Sequence, residues 1–406
     1  MEDKIIEDKI ENSNKPEDKI RVMIVDDSAV IRSLVSRMLG HNSKIEVAGT
    51  ALNGRYALNK IDSVRPDVIV LDIEMPEMNG IEFLRECNKR NIKVPTLILS
   101  AVAQKGAKYT LQAMELGAAA FIVKPTQDGT NLETMETTII ETVLALGIPN
   151  SYAANHKDEN HVQYDYSSQN VTEDSAISPA VSGFNRHSTF DVGKYIPQHN
   201  DVGTPTTVGK YPIEVVAIGI STGGPMALRQ ILPHFPEDFP VPIVIVQHMP
   251  AGFTQEFANS LDKICPLEVK EAATGDVVKP GRILIAPGHA HIKLVRRQLA
   301  VAVELVESGL VNGHMPSASV LFQSAAEVYG KNALACIMTG MGRDGADTIG
   351  DVMKAGGVTI AQDQHSSVVY GMPRIAIENG NIQLVRSLDK IVPTIIDVVN
   401  ANCSTK

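Results

Sequence analysis

The sequence predicts an α/β protein built from two open, mainly parallel sheets joined by a polar interval. Three observations carry this reading. Short apolar runs rich in β-branched residues alternate with amphipathic helical stretches from residue 20 to 146, and again from residue 212 onward. Alternation at this spacing belongs to βαβ units and so to parallel strands. Between the two series, residues 147–211 are rich in Asn, Ser, Asp, His and Gly and hold no sustained apolar period. A structureless loop of that length does not sit inside one compact unit, so it reads as a flexible linker. At 406 residues the chain also exceeds one ordinary core.

The first unit is expected over residues 19–146. "IRVMIVDD" is a buried strand ending in acids. "SAVIRSLVSRMLG" is a helix with Ser28 as its N-cap and Gly40 as its stop. "KIEVAGTA", "DVIVLDIEM", "VPTLILSA" and "AAFIVKP" complete five strands, with helices at "GRYALNKIDSVRP", "IEFLREC", "KYTLQAMELGA" and "NLETMETTIIETVLAL". The result is a doubly wound five-stranded parallel sheet. The second unit, over 212–402, begins with the strand "IEVVAIGI" and the helix "GPMALRQILPHF". It continues through "VPIVIVQHM", "GRILIAPG", "ALACIMTG" and "VTIAQD" as strands of a Rossmann-like, mixed but mainly parallel sheet. "HIKLVRRQLAVAVELV" follows "GRILIAPG" within the same unit.

Charge and composition remove several function classes. The formal net charge is −10, which argues against a nucleic-acid-binding body, and no basic recognition helix is present. No apolar run reaches the roughly 18 residues that a membrane span needs. The four cysteines are scattered without a C-x-x-C spacing, so reduced thiols in the cytoplasm are expected. Residues 1–18 are highly charged and lack an apolar signal region, so they read as a disordered leader. Glu-Asp-Lys-Ile occurs three times there and at its edge, and "VGKY" twice in the linker, at 192–195 and 208–211, read either as a small duplication in a spacer or as a docking motif for another surface.

In open parallel sheets, ligand sites form at the carboxyl ends of the strands. In the first unit those ends carry Asp26 and Asp27, Asp72, Ser100 and Lys124. Clustered carboxylates repel one another unless a divalent cation joins them, and Mg²⁺ suits such a set. A carboxylate can also attack phosphorus, with Lys124 and Ser100 placed to hold the transferred group and Pro125 bending the chain behind Lys124. Singly, each residue is ordinary. The ordered set of Asp-Asp, "LDIEMPEMNG", Ser and "KP" resembles the receiver domain of two-component response regulators. The resemblance implies a flavodoxin-like fold and phosphorylation of Asp72 by a histidine kinase. It implies Mg²⁺ on Asp26, Asp27, Asp72 and the Glu74 carbonyl, and a switch aromatic at Phe121.

In the second unit "GISTGGP" ends the first strand. It can be a nucleophile turn around Ser221 or a glycine-rich anion cradle. The cradle reading lacks the P-loop lysine and has Pro225 where helix amides are needed. His248 in "VIVQHMP" ends the next strand, and Asp344 in "TGMGRDG" follows a later one, so a serine, a base and an acid could meet in one crevice. The order Ser, His, Asp differs from that of ordinary α/β-hydrolases. Each residue also has a plain structural reading. Ser221 could cap a helix, His248 competes with His289, His291 and His314, and Asp344 could shape a turn. The Met341 N–H is a candidate oxyanion donor, with Thr222 as a second contributor. Gly223 and Gly224 are expected to leave room for a substrate side chain.

"GISTGGP", "VQHMPAGFTQEFA", "IAPGHAHIKL", "HMPSASVLF" and "TGMGRDGA" together resemble the catalytic domain of the chemotaxis protein-glutamate methylesterase family. The order of the two units matches as well. The resemblance implies hydrolysis of glutamate γ-methyl esters on methyl-accepting chemoreceptors and deamidation of receptor glutamines. Ser221 would be the nucleophile, His248 the base and Asp344 its orienting acid, with no cofactor for this reaction. It further implies a cytoplasmic monomer whose unphosphorylated receiver inhibits the esterase. The chain departs from the family pattern in a long linker, in Ile220 where alanine is usual, and in a C-terminus without a receptor tether. The other reading is a regulator whose second domain only binds a partner.

Overall fold

The computed structural model describes residues 19–100, 104–124, 132–147 and 211–403. The leader, Pro125 and almost the whole linker, with most of its "VGKY" repeat, lie outside the described residues.

The first sheet holds β1 (Ile20–Val25), β2 (Ile45–Ala51), β3 (Val68–Asp72), β4 (Thr96–Ser100) and β5 (Ala120–Val123) in the order β2-β1-β3-β4-β5. All four pairings are parallel. The helices are α1 (Ala29–Gly40), α2 (Gly54–Val64), α3 (Gly80–Lys89), α4 (Gln104–Glu115) and α5 (Leu132–Leu146). Local chemistry starts them where the sequence indicates. The Ser28 hydroxyl accepts from the Ile31 N–H at the head of α1. Asn79 and Glu82 form a reciprocal capping box on α3. Strands β3 and β4 are buried along their whole length, as a sheet covered by helices on both faces requires. The strand order reverses between β1 and β3, so Asp26, Asp27 and Asp72 share the crevice at the switch point.

The second sheet has seven strands: β6 (Val215–Ile220), β7 (Ile243–Gln247), β8 (Glu268–Glu271), β9 (Arg282–Ile285), β12 (Ala333–Ile337), β13 (Val358–Gln362) and β14 (Leu384–Arg386). Their order is β14-β13-β12-β6-β7-β9-β8. Every pairing in it is parallel. The expectation of a mixed sheet is therefore corrected in one respect. Residues 291–306 leave the main sheet and form a separate antiparallel hairpin, β10 (His291–Arg296) with β11 (Val301–Val306). Residues 297–300, with Leu299 exposed, supply its turn.

Six helices flank this sheet: α6 (Gly224–Ile231), α7 (Phe253–Asp262), α8 (Ala318–Tyr329), α9 (Ile349–Lys354), α10 (Met372–Glu378) and α11 (Leu388–Cys403). Strand alternation divides the core into two layers. Val216, Ile218 and Ile220 face α6, α7 and α11, while Val215 and Ala217 face α8 and α9. Cys87, Cys265 and Cys336 are free thiols. No described helix is long and apolar enough to cross a membrane.

Candidate functional site

Strand β6 occupies the centre of the second sheet, with β7 on one side and β12 on the other. Ser221 is the first residue beyond β6, at this switch point. Its N–H donates to Thr339 O (2.9 Å) beyond β12, and its carbonyl accepts from Gly224 N (2.8 Å) and Gln247 Nε2 (3.0 Å). His248 follows β7, and its N–H donates to Ile220 O (3.1 Å), which sets the two turns side by side. Gln247 Nε2 also donates to the His248 carbonyl (3.1 Å), so one buried amide clamps both turns.

Asp344 is fully buried and accepts from donors on three segments. Its Oδ2 takes His248 Nε2 (2.9 Å) and Ala318 N (2.6 Å). Its Oδ1 takes Ser317 Oγ (2.6 Å), Asn312 Nδ2 (3.1 Å) and Ser319 N (3.4 Å). The amides belong to the N-terminus of α8, whose dipole favours a negative charge. Burial alone would raise the Asp344 carboxyl. The His248 ring and the hydrogen bonds from Ser317 and Asn312 outweigh it and hold the group well below the usual carboxylate range. Because a carboxylate only accepts, His248 Nε2 carries the proton there. Nδ1 is left as the basic nitrogen, buried and without a hydrogen-bond partner among the described residues.

The His314 ring stacks on His248 with centroids 3.9 Å apart and planes 17° from parallel. His248, His314 and Asp344 are close enough together to suggest a metal centre. The stack opposes it: in-plane lone pairs of two nearly parallel rings do not converge on one ion.

At the first sheet, Lys124 Nζ lies 2.8 Å from Asp26 and 2.9 Å from Asp72. The Ile73 N–H donates to Asp72 Oδ1 (2.8 Å), and the Ser28 N–H to Asp26 Oδ1 (2.8 Å). Ser100 is held by Thr110, whose hydroxyl donates to it at 2.6 Å, and the Ser100 carbonyl accepts the Lys124 N–H (2.7 Å). Asp27, Asp72, Glu74, Ser100 and Lys124 line a cavity of about 220 Å³. Burial pushes the Asp72 carboxyl above its ordinary value, and Lys124 offsets this only in part. Carboxylate oxygens of Asp26, Asp27 and Asp72 lie within 4.8 Å of one another. Hard oxygen donors around an excess of negative charge suit Mg²⁺.

The two sheets are coupled through α4 and β5. Ala107 and Leu111 of α4 pack into the core of the second sheet, and Met226 of α6 packs against that of the first. Glu115 pairs with Arg229 (3.1 Å). The Phe121 ring stacks on Phe253, centroids 5.3 Å apart and planes 2° from parallel. These contacts fall on α6 and α7, the helices that start just after the turns of Ser221 and His248.

Comparison with known proteins agrees with both halves of this description. The response regulator receiver domain family matches residues 22–136, and the CheB methylesterase family matches residues 216–395. A protein-glutamate methylesterase/protein-glutamine glutaminase of Treponema denticola is 48% identical over 377 residues, covering 93% of this chain and 97% of that protein. The chain belongs to the protein-glutamate methylesterase/protein-glutamine glutaminase family. A relative in Treponema pallidum is 41% identical over 397 residues, covering 93% of this chain and 96% of its own. The crystal structure of the Thermotoga maritima CheB methylesterase catalytic domain is 43% identical, covers 46% of this chain and 99% of that chain, and has a TM-score of 0.45.

For this family member, the residues expected at the two sites stand where the strands end. His248 and Asp344 pair directly, while Ser221 stands on the adjoining turn with no side-chain hydrogen bond to His248; Lys124 joins Asp26 and Asp72, and Asp27, Asp72, Ser100 and Lys124 line one cavity. Thr222 is half-buried, and its carbonyl accepts from Thr339 Oγ1 (2.9 Å). The Gly340 carbonyl accepts from Gly371 N (3.0 Å) and Met372 N (2.9 Å), so in a trans peptide the Met341 N–H turns the other way. Of the competing histidines, His291 is a structural pin: Nε2 donates to Gly309 O (2.6 Å) and Nδ1 accepts from Ser317 N (3.1 Å). His289 is exposed. The reading of Gly223 and Gly224 is corrected. A Cβ on Gly223 would meet Val368 at 2.5 Å and one on Gly224 would meet Gln247 Oε1 at 2.0 Å. The space they leave is filled by the protein itself, with no room for substrate.

Gln247, Asn312 and Gly340 were not singled out by motif. Gln247 has one sequence signal, an amide closing an apolar strand, since such a group is buried only when hydrogen-bonded. Gly340 sits where a Cβ would lie 2.4 Å from the Met372 sulfur and 2.8 Å from Ser221 Cβ. Gly340→Ala is expected to lower stability by about 1–3 kcal/mol, as overpacking does, and to reduce kcat because the Ser221 turn must shift. Thermal unfolding beside steady-state rates checks this; a variant with wild-type Tm and kcat would show that the loop yields freely.

Proposed function

We propose that the chain is a phosphorylation-activated serine hydrolase that demethylates glutamyl γ-methyl esters on methyl-accepting chemoreceptors, releasing methanol, and deamidates receptor glutamines. The observation that supports it most directly is the His248–Asp344 pair. It leaves a bare, buried imidazole nitrogen on the strand end next to Ser221. In this reading His248 Nδ1 takes the Ser221 proton as the hydroxyl oxygen attacks the ester carbonyl. The Met341 N–H, with Thr222, faces the oxyanion. The imidazolium returns its proton to the departing methoxide, giving methanol and an acyl-serine. Water then repeats the attack and restores Ser221, and for glutamine the leaving group is ammonia. No step in this sequence calls for a cofactor.

Asp72 is the proposed phosphoacceptor, with a chemotaxis histidine kinase as donor. Asp26, Asp27, Asp72 and the Glu74 carbonyl would hold Mg²⁺, which would offset the negative charge gathered there. Lys124 and Ser100 would hold the incoming phosphoryl group. Phe121 would carry the change to Phe253 and α7. The working division is a receiver over 19–146, a linker over 147–211 and the esterase over 212–402, in a cytoplasmic monomer.

Methanol release from methyl-esterified receptor, with and without a small phosphodonor, tests this. The donor is expected to raise the rate on the order of tenfold. Asp72→Asn is expected to give one rate whether or not the donor is present. Stimulation that survived in this variant would remove Asp72 as the acceptor, and no methanol from the wild-type chain would remove the hydrolase reading.

A further inference from the structure

His314 belongs to a tight turn built for precision. Val311 and His314 exchange both backbone hydrogen bonds at 3.0 Å, and Asn312 (φ 51°) and Gly313 (φ 79°) are both left-handed. The Asn312 side chain donates to Asp344 Oδ1 (3.1 Å) and to Ser319 Oγ (2.9 Å). The Asn312 carbonyl, which can only accept, lies 2.8 Å from His314 Nδ1 and so fixes the proton on that nitrogen. One turn therefore holds both the acid that touches the edge of His248 and the ring that covers its face.

We propose that His314 is a positioning residue for the His248 base. Its neutral ring lies flat on His248 and fixes the plane in which Nε2 meets Asp344 and Nδ1 stays free. The inference rests on the hydrolase reading given above. Two consequences follow from the stack. A neutral π-face beside the imidazolium favours the charge that forms during proton transfer. Two rings 3.9 Å apart do not both take a proton at ordinary cost, so a charged His314 opposes a charged His248. Burial, and then the neighbouring His248, push the His314 ring below its ordinary pKa, while the Asn312 carbonyl and Asp344 pull the other way. The net direction favours the neutral ring of His314 against His248.

The test is methanol release by the full chain from methyl-esterified receptor, resolved into kcat and KM across pH. His314→Ala is expected to lower kcat about 10- to 100-fold with little change in KM, as misorientation of a reacting group does. His314→Phe, which keeps a flat face and cannot ionise, is expected to recover most of that loss. A wild-type kcat in His314→Ala, or a loss confined to KM, overturns the proposal. Ser221→Ala and His248→Ala run beside it tell the two readings apart. If both are silent while His314→Ala is unaffected, the positioning role alone fails; if His248→Ala still turns over at the wild-type rate, the reading of His248 as the base fails, and the positioning role falls with it.

Discussion

Ser221→Ala is expected to stop methanol release, with kcat falling on the order of 10⁶-fold while receptor binding persists. The expectation comes from what surrounds the hydroxyl. The backbone of Ser221 is pinned by Thr339, Gly224 and Gln247, so alanine inherits the same turn. The residue is buried, with 8% of its surface exposed, and its Cβ is retained. Loss of rate would therefore report loss of the oxygen and leave the fold intact. His248, Asp344 and the proposed oxyanion donors remain in the variant, but the proposed base then has no nucleophile to activate. An unchanged Tm with an absent rate is the expected pair of measurements. A rate within tenfold of wild type would mean that water, activated by His248, is the attacking group, and Ser221 would lose its role.

The fold was legible in this sequence because buried parallel strands leave a strong mark. "VVAIGI", "IVIVQ" and "ALACI" are continuous apolar runs, and each strand found is buried along its length. The polar residues interrupting these patterns stood at strand ends, where open sheets place their sites. Three features escaped. The hairpin at 291–306 has the same β-branched composition as a sheet strand, and composition does not tell which sheet a strand joins. His248 was named from the sequence through the family resemblance, but the stacking of His314 on its ring was not. The Phe121–Phe253 stack links residues that no local pattern relates. Register and hydrogen bonding, set by tertiary packing, decided each of these.

Asp344→Asn is expected to cost about 10⁴-fold in kcat, since the wrong tautomer of His248 is then favoured. The sequence alone suggests little cost to the fold, but the geometry revises that. Every group around the carboxylate is a donor: His248 Nε2 and Ala318 N on one oxygen, Ser317 Oγ, Asn312 Nδ2 and Ser319 N on the other. An asparagine must turn its amide nitrogen towards one of these sets, leaving buried N–H groups facing each other. About 1–3 kcal/mol of destabilisation follows from such unsatisfied donors. The pH dependence provides the independent reading. The folded-state pKa of Asp344 lies below its ordinary 3.8, so its contribution is present above that value and is lost as pH falls through the folded-state pKa. Stability of the wild-type second domain should therefore drop as pH is taken below about 4. Asp344→Asn, with no charge to lose at this position, should start lower and fall less steeply. Denaturant unfolding at pH 7 and pH 3 measures both slopes. Equal slopes would mean that another carboxylate carries the acid sensitivity, and a wild-type kcat would mean that another group holds His248 in place.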